Sequence, residues 1–161
     1  MREWVLTSHK RKAKSMLWVL AGVAIVTIFI FSHVDDWSRD LTTNTAWTDD
    51  ASQTLQPLRV AKSPELVKAD LLRVIESMSN WQVADGGEVG SVANDDAIKV
   101  HLVRTTTIMR FKDDIWVTLL QGDSEGSTVV QVRSQSRLGR GDLGQNPRNI
   151  RELLERLAQA K

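Results

Sequence analysis

The stretch VRSQSRLGRGDLGQNPRNI, Val132 to Ile150, joins the end of a strand to the beginning of a helix through a glycine-rich turn. Its first half alternates between two sets of side chains, as a β-strand requires. One face takes Val130, Val132, Ser134, Ser136 and Leu138, and the other takes Gln131, Arg133, Gln135 and Arg137. Asn146 is then a favourable N-cap and Pro147 a favourable first helical residue. The stretch therefore predicts a strand that leads directly into a C-terminal helix.

Two amphipathic helices follow from the apolar spacing. The C-terminal helix repeats apolar residues at Ile150, Leu153, Leu154 and Leu157. An earlier helix is predicted from the N-cap Ser63 and Pro64 to about Ser79. Its apolar residues, spaced as one buried stripe, are Val67, Leu71, Val74, Ile75 and Met78.

Strand patterns occupy most of the remaining sequence between residues 58 and 138. The predicted strands are Leu58–Ala61, from Trp81 to Ala84, from about Ala97 to Phe111, from Ile115 to Gln121 and from Thr128 to Leu138. Turns are expected at Gly86-Gly87 and Asp113-Asp114, and a shift in the apolar phase predicts a bulge or bend near Arg104. The predicted fold class is α+β: an antiparallel sheet of about four to five strands with two helices on one face.

An uncharged apolar run precedes this domain. Residues 16–34 are long enough to cross a bilayer as one helix. Basic residues before the run and Asp35-Asp36 after it predict a cytoplasmic N-terminus. A cleaved signal peptide is the alternative, but the run ends without a small-x-small site. The predicted organisation is a basic cytoplasmic tail (1–15), a transmembrane anchor (16–34), a linker or loosely docked arm (35–57) and an exported α+β domain (58–161).

Composition excludes several classes of function. The chain has 161 residues, no cysteine, three histidines and a net charge of +1. Disulfide scaffolds, thiol nucleophiles and thiolate metal sites are therefore excluded, and a histidine-rich metal site is not expected. The residues ahead of the apolar run, 1–14, carry a net charge of +4, so the rest of the chain is mildly acidic with a net charge of −3. That distribution does not suit a nucleic-acid binder, and no cofactor is predicted.

Polar residues around the glycine-rich turn form the candidate site. The candidate ligand-binding residues are Arg133, Arg137, Asp142, Asn146 and Arg148, and the candidate orienting partners are His101, Asp113 and Asp114. Glycines and a helix N-terminus favour an anion. The positive end of the helix dipole disfavours arginines in the first helical turn, so their charge needs a nearby anion. Either an anionic ligand or a structural carboxylate would supply it. Both interpretations remain open at this point.

A catalytic function is less favoured than ligand binding or structural ion pairing. His101 could be drawn as a triad with Asp113 or Asp142 and a serine such as Ser134, but no nucleophile elbow is present. The Gly-x-Gly-x-x-Gly motif of dinucleotide-binding sites is matched by Gly139, Gly141 and Gly144. The βαβ unit in which that motif binds a dinucleotide is absent from the predicted elements. Catalytic residues are therefore not assigned.

Several blocks of the sequence are similar to one family. The main block comprises Val132 to Gly139, Gly141 to Asn146, Arg148 and Ile150, and weaker blocks comprise His101, Thr105, Phe111, Asp113-Asp114 and Thr43 to Ala46. Over residues 43–157 the chain resembles the domain-of-unknown-function 1499 family, although a cysteine-containing block of many members is missing. The resemblance implies a bacterial envelope protein, often membrane-attached, and implies no reaction. It also groups Asp113 and Asp114 with the site residues, and a hairpin would bring Asp114 close to Arg137.

The leading hypothesis is a single-pass protein of the bacterial inner (cytoplasmic) membrane with a periplasmic, or otherwise extracytoplasmic, domain. The domain would be a binding or scaffolding module for an anionic ligand, a lipid headgroup or an envelope protein partner. The alternatives are a hydrolase using His101 with nearby carboxylates and a purely structural domain. A cleft lined by Arg137 and Arg148 favours binding, an open hydroxyl beside His101 favours hydrolysis, and closed Arg–Asp pairs favour structure.

Overall fold

The computed structural model describes residues 16–28, 31, 42–89 and 97–160. Residues 16–28 are helical. The elements that follow are β1 (Thr45–Trp47), β2 (Leu58–Val60), α1 (Pro64–Ser77), β3 (Trp81–Val89), β4 (Ile98–Thr105), β5 (Lys112–Gln121), β6 (Thr128–Ser136) and α2 (Gln145–Gln159).

The strands form one antiparallel sheet of six strands in the order β1-β6-β5-β4-β3, with β2 also paired to β6. Strand β6 is therefore bordered by β5 along one side and by two short strands along the other. β1 pairs with its C-terminal part, where Ala46 opposes Ser134, and β2 pairs with its N-terminal part, where Leu58 opposes Val130. The α+β class is confirmed, and the sheet is larger than predicted because β1 joins its edge.

The described part of the predicted arm packs on the domain. The Thr48 amide donates to the Val132 carbonyl at 2.9 Å, which continues the pairing of β1 with β6. Leu55 is buried in the main core. Residues 42–57 thus contribute a strand and an apolar contact to the domain, while residues 35–41 lie outside the described residues.

Both helices pack on the same face of the sheet. Because side chains alternate along a strand, every second residue of β4, β5 and β6 points toward the helices. The core they form with the helices contains Val100, Leu102, Ile115, Val117, Leu119, Val130, Val132, Val67, Leu71, Ile75, Ile150, Leu153 and Leu157. We call this the inner face of the sheet and the opposite one the outer face.

Two turns differ from their predicted positions. Asp113 and Asp114 were expected in a turn, but this prediction was wrong, because both lie in β5. The turn between β4 and β5 instead spans the residues before Lys112, where the Thr106 amide donates to the Phe111 carbonyl at 2.8 Å. The shift in apolar phase therefore marks a chain reversal. A bulge near Arg104 is not needed to explain it.

The Gly86-Gly87 pair lies inside β3, so the predicted turn there was also wrong. Gly86 has a φ of +73°, which glycine adopts without a Cβ clash. The pairing of β3 with β4 changes register between Val83 and Glu88. The glycines therefore produce an irregularity within a strand, which turn propensity alone does not distinguish from a hairpin.

The helix boundaries are close to the predicted ones. Ser63 is the N-cap of α1 and Pro64 its first residue, as predicted. Helix α2 has Gly144 as its N-cap, with a φ of 72°, and begins at Gln145, so the prediction that Asn146 is the N-cap was wrong. The carboxylate of Asp142 accepts hydrogen bonds from the amides of Gly144 and Asn146 at 2.9 and 2.8 Å, which leaves the Asn146 side chain free for other contacts.

The apolar N-terminal helix is described only in part. Within the described ranges, no helix combines the length and the hydropathy that a membrane crossing requires. The predicted span 16–34 includes residues 29–30 and 32–34, which lie outside the described residues, as does the predicted basic tail 1–15.

Candidate functional site

Asp113 lies on the inner face and is 1% exposed. The Ser136 hydroxyl donates to its Oδ1 at 2.7 Å, and the Asn149 amide donates to its Oδ2 at 2.9 Å. Both oxygens of this carboxyl group therefore have a partner, one from β6 and one from α2. Such pairing is what a buried carboxyl group requires.

Asn146 extends the same buried network toward the chain that precedes β1. The Ser134 hydroxyl donates to Asn146 Oδ1 at 2.6 Å, and Asn146 Nδ2 donates to the Asn44 carbonyl at 2.8 Å and to Ser136 Oγ at 3.1 Å. Asn149 Nδ2 also contacts Ser134 Oγ at 3.1 Å. Ser134 and Asn146 are 0% exposed, so this network fixes the N-terminal part of α2 against the sheet and offers no open site.

Asp114 lies on the outer face and makes different contacts. Arg137 donates from Nε to Oδ2 at 2.8 Å and from Nη2 to Oδ1 at 2.7 Å, and His101 Nε2 lies 2.8 Å from Oδ1. The hydrogen bonds from Arg137 lower the pKa of Asp114, burial partly opposes them, and the contact with His101 acts in the same direction as Arg137. The same carboxylate raises the pKa of Arg137. The charge of Arg137 is thus neutralised within the domain.

An aromatic and cationic row crosses the outer face beside this ion pair. His101 opposes Trp116, Trp116 opposes Arg133, and Arg133 opposes Trp47 on four neighbouring strands. The His101 and Trp116 rings are stacked, with centroids 5.2 Å apart and planes 9° apart. The Arg133 guanidinium lies 5.5 Å from the Trp116 ring centroid, within the range of a cation–π contact. We call His101, Trp116, Arg133 and Trp47 the outer-face row.

The outer-face row is open to solvent. Trp116 is 37% exposed and Trp47 is 59% exposed, although tryptophan is usually buried to a greater extent. Arg133 donates to Gln135 Oε1 at 3.1 Å, and no described carboxylate forms an ion pair with it. Arg133 therefore differs from Arg137, since its charge has only a neutral hydrogen-bond acceptor and a ring.

The structure divides the sequence-predicted site between the two faces. Asp113 and Asn146 are buried on the inner face, and Asp142 caps the beginning of α2. The residues on the outer face are His101, Asp114, Arg133 and Arg137. Arg148 lies in the first turn of α2, where its Nη2 is 3.4 Å from Gln145 Oε1. The expected approach of Asp114 to Arg137 is confirmed.

The triad drawn from the sequence is not assembled. His101 pairs with Asp114, whereas Ser134 and Asp113 lie on the opposite face of the sheet. Ser134 also donates its hydroxyl to Asn146. Ser134 is therefore not placed as a nucleophile for His101. Among the described residues, no group of three or more metal-ligating side chains is positioned to bind a metal ion.

Trp116, Trp47 and Asn149 were missed by the sequence-based reasoning. Trp116 follows Asp114 by two residues in a strand, so strand alternation places them on one face once β5 is known to begin at Lys112. The misplaced turn at Asp113-Asp114 concealed this relation. No sequence signal marked Asn149, because its role depends on the packing of α2.

The fold, the buried polar network and the outer-face row define a class of protein. It is an α+β domain in which two helices cover one face of the sheet, while the other face presents a polar and aromatic surface to solvent. The chain belongs to the family described as Protein of unknown function (DUF1499), whose model matches residues 30–157. The resemblance seen in the sequence is thereby confirmed. No curated protein and no solved structure matches the chain.

Proposed function

We propose that the chain is a single-pass membrane protein of the bacterial cell envelope, anchored by residues 16–34, with its N-terminus in the cytoplasm and its domain outside. The described helix 16–28 supports the anchor. Its large apolar side chains are all exposed, namely Met16, Leu17, Trp18, Val19, Leu20, Val23, Ile25, Val26 and Ile28. A helix that is apolar on all sides is typical of a membrane or a large core.

The domain is proposed as a binding module, and the observation that carries this proposal is Arg133. Its guanidinium lies over the exposed Trp116 ring and has no carboxylate partner among the described residues. A cation left without a counter-charge on an open face favours an anionic ligand. Arginine presents paired N–H groups that match the oxygens of a carboxylate or a phosphate.

The neighbouring side chains favour a ligand with a flat or apolar part next to its anionic group. Trp47 lies on the far side of Arg133 from Trp116, so exposed indole surface flanks the charge. The ion pair of Asp114 with Arg137 fixes His101, which in turn stacks on Trp116. These contacts pre-organise the outer-face row, and pre-organisation reduces the entropic cost of binding.

The binding proposal is tested with the full chain in detergent. Inorganic phosphate, glycerol phosphate and benzoate are titrated, and thermal stability and native mass spectra are recorded. We expect at least one probe to raise the melting temperature of the wild type, because a ligand that binds only the folded state stabilises it. Arg133→Gln should abolish that increase without changing the melting temperature of the free protein by more than a few degrees.

Arg59→Gln is the matched control, because Arg59 is an exposed arginine on the neighbouring short strand β2. It removes the same charge and should leave the ligand-induced shift intact. If no probe stabilises the wild type, or if both variants respond equally, Arg133 is not an anion site and the binding module is rejected.

A further inference from the structure

An apolar tip projects from one end of the sheet. Ile108 is 85% exposed, and Met109 and Phe111 in the same β4–β5 turn are also exposed. Leu138, just beyond the end of β6, is exposed as well. We define the tip as residues 106–111 together with residues 138–140. Neighbouring apolar residues exposed in this way mark an interaction surface.

Hydrogen bonds hold the turn of the tip in one conformation. The Thr106 amide and the Phe111 carbonyl are 2.8 Å apart, and Thr106 Oγ1 accepts from the Phe111 amide at 2.9 Å. Arg110 has a φ of 56°, a left-handed conformation that is uncommon for a residue with a side chain. The apolar side chains are therefore presented by an ordered turn.

The two parts of the tip and the entry of the chain into the domain lie at the same end of the sheet. The Arg137 amide donates to the Lys112 carbonyl at 3.0 Å, so the residues after β6 begin beside the β4–β5 turn. Asn44 Nδ2 donates to the Gly139 carbonyl at 3.0 Å. The segment that arrives from the proposed anchor is therefore attached to the tip itself.

Basic residues adjoin the apolar ones along the chain. Arg110, Lys112 and Arg140 are exposed, and none of them forms an ion pair with a carboxylate in the part of the chain that the structure describes. Apolar side chains flanked by lysine and arginine are typical of surfaces that insert shallowly between anionic lipid headgroups.

The number of residues between the proposed anchor and the domain limits how far the domain lies from the bilayer. Seven residues, 35–41, separate the end of the proposed span from the described domain. Fully extended, seven residues reach at most about 25 Å. Asn44, which contacts the tip at Gly139, lies only three residues beyond this tether, so the end of the sheet that carries the tip stays near the membrane surface.

We infer that the tip docks on the outer surface of the same membrane, with Ile108, Met109, Phe111 and Leu138 inserted between anionic lipid headgroups. This inference rests on the proposed anchor for the tether. The docking would orient the sheet upright on the bilayer and keep its outer face open at a fixed height above the headgroups.

The test uses single-cysteine labelling of the full chain, which contains no cysteine of its own. An environment-sensitive fluorophore is attached in the variants Met109→Cys at the tip, Ser124→Cys in the β5–β6 turn at the opposite end of the sheet, and Ile25→Cys in the proposed anchor. Each protein is reconstituted in vesicles of phosphatidylcholine with phosphatidylglycerol. Quenchers attached to the lipid chains and dissolved in the water are then compared.

The inference predicts lipid quenching at positions 109 and 25 and aqueous quenching alone at position 124. Replacing Arg110, Lys112 and Arg140 by glutamine should weaken the lipid contact at position 109. Each lost charge should lower the equilibrium constant for docking on the anionic surface by about fivefold. Pure phosphatidylcholine should have a similar effect. Circular dichroism checks that each variant remains folded.

Lipid quenching at position 25 without lipid quenching at position 109 overturns the tip contact and leaves the anchor in place. Absence of lipid quenching at position 25 contradicts the anchor, independently of what position 109 reports. Shielding of position 109 from both quenchers also overturns the inference, because it assigns the tip to a protein partner or to a second copy of the chain.

Discussion

Asp113 and Asp114 are adjacent in sequence and have unrelated roles. Strand alternation directs Asp113 into the inner network and Asp114 toward Arg137 and His101 on the outer face. The sequence predicted the contact of Asp114 with Arg137, although it placed both aspartates in a turn. It could not predict the burial of Asp113, because an aspartate pair is more often found in a turn than in a central strand.

The Asp114–Arg137 pair makes stability depend on pH. Because the folded state lowers the pKa of Asp114 below its ordinary value of 3.8, the pair stabilises the domain above that value and loses its effect as the pH falls through the lowered pKa. Asp114→Asn should cost about 1 kcal/mol at pH 7, since the geometry is bidentate and Arg137 is partly exposed. Urea unfolding of the wild type and the variant from pH 7 to pH 3 measures the difference.

The difference between Asp114→Asn and the wild type should shrink toward the acid end of that range. Asp50→Asn is the control, because Asp50 forms an exposed pair with Arg59. It should change the free energy of unfolding by less than about 0.5 kcal/mol at every pH. A constant difference for Asp114→Asn down to pH 3 would show that the ionised carboxylate is not the stabilising group.

Helix α2 is attached to the sheet in two ways. Ile150, Leu153 and Leu157 bury an apolar stripe that the helical spacing predicted. Asn146 and Asn149 attach the first turns of the helix to β5 and β6 through the buried polar network. The apolar attachment could be predicted from periodicity. The polar attachment could not, because it depends on how α2 is rotated about its axis, and three-dimensional packing determines that orientation.

Asn149→Ala tests the polar attachment. It removes the donor to Asp113 Oδ2 and to Ser134 Oγ and leaves a buried carboxyl oxygen without its partner. The expected cost is about 2–3 kcal/mol, read from urea unfolding at pH 7. Glu155→Ala, at an exposed position of the same helix, should cost less than about 0.5 kcal/mol. Equal effects of the two substitutions would mean that the network does not stabilise the docking of α2.

The sheet shows where prediction from the sequence is limited. The patterns of β5 and β6 were recognised, because their apolar alternation is strong. β1 was not recognised, because three residues carry too little alternation to be distinguished from a polar arm. Its pairing with β6 depends on contacts from Asn44 to Ser136 and Gly139 that are distant in sequence. The outer-face row depends on β1 for Trp47, so the candidate site could be only partly predicted.

The proposed anchor, the outer-face row and the tip occupy different parts of the molecule, and their positions are related. The helices close one face, the outer-face row is open on the other, and the tip lies at the end where the chain enters from its N-terminal side. An anchor in the cytoplasmic membrane would place the open face outside the cytoplasm, close to anionic lipids and envelope solutes. The orientation of this chain across that membrane therefore decides which compartment the outer-face row and the tip face.

Cysteine labelling in intact bacterial cells measures this orientation most directly. The full chain carries one introduced cysteine, either Ser8→Cys ahead of the apolar run or Ser124→Cys in the domain. A maleimide small enough to pass the outer envelope but unable to cross the cytoplasmic membrane is added before and after lysis. We expect labelling of the Ser124→Cys variant before lysis and of the Ser8→Cys variant only after lysis, with both proteins remaining in the membrane fraction at alkaline pH. Labelling of the Ser124→Cys variant only after lysis, or release of the chain from the membranes, would contradict the proposed orientation.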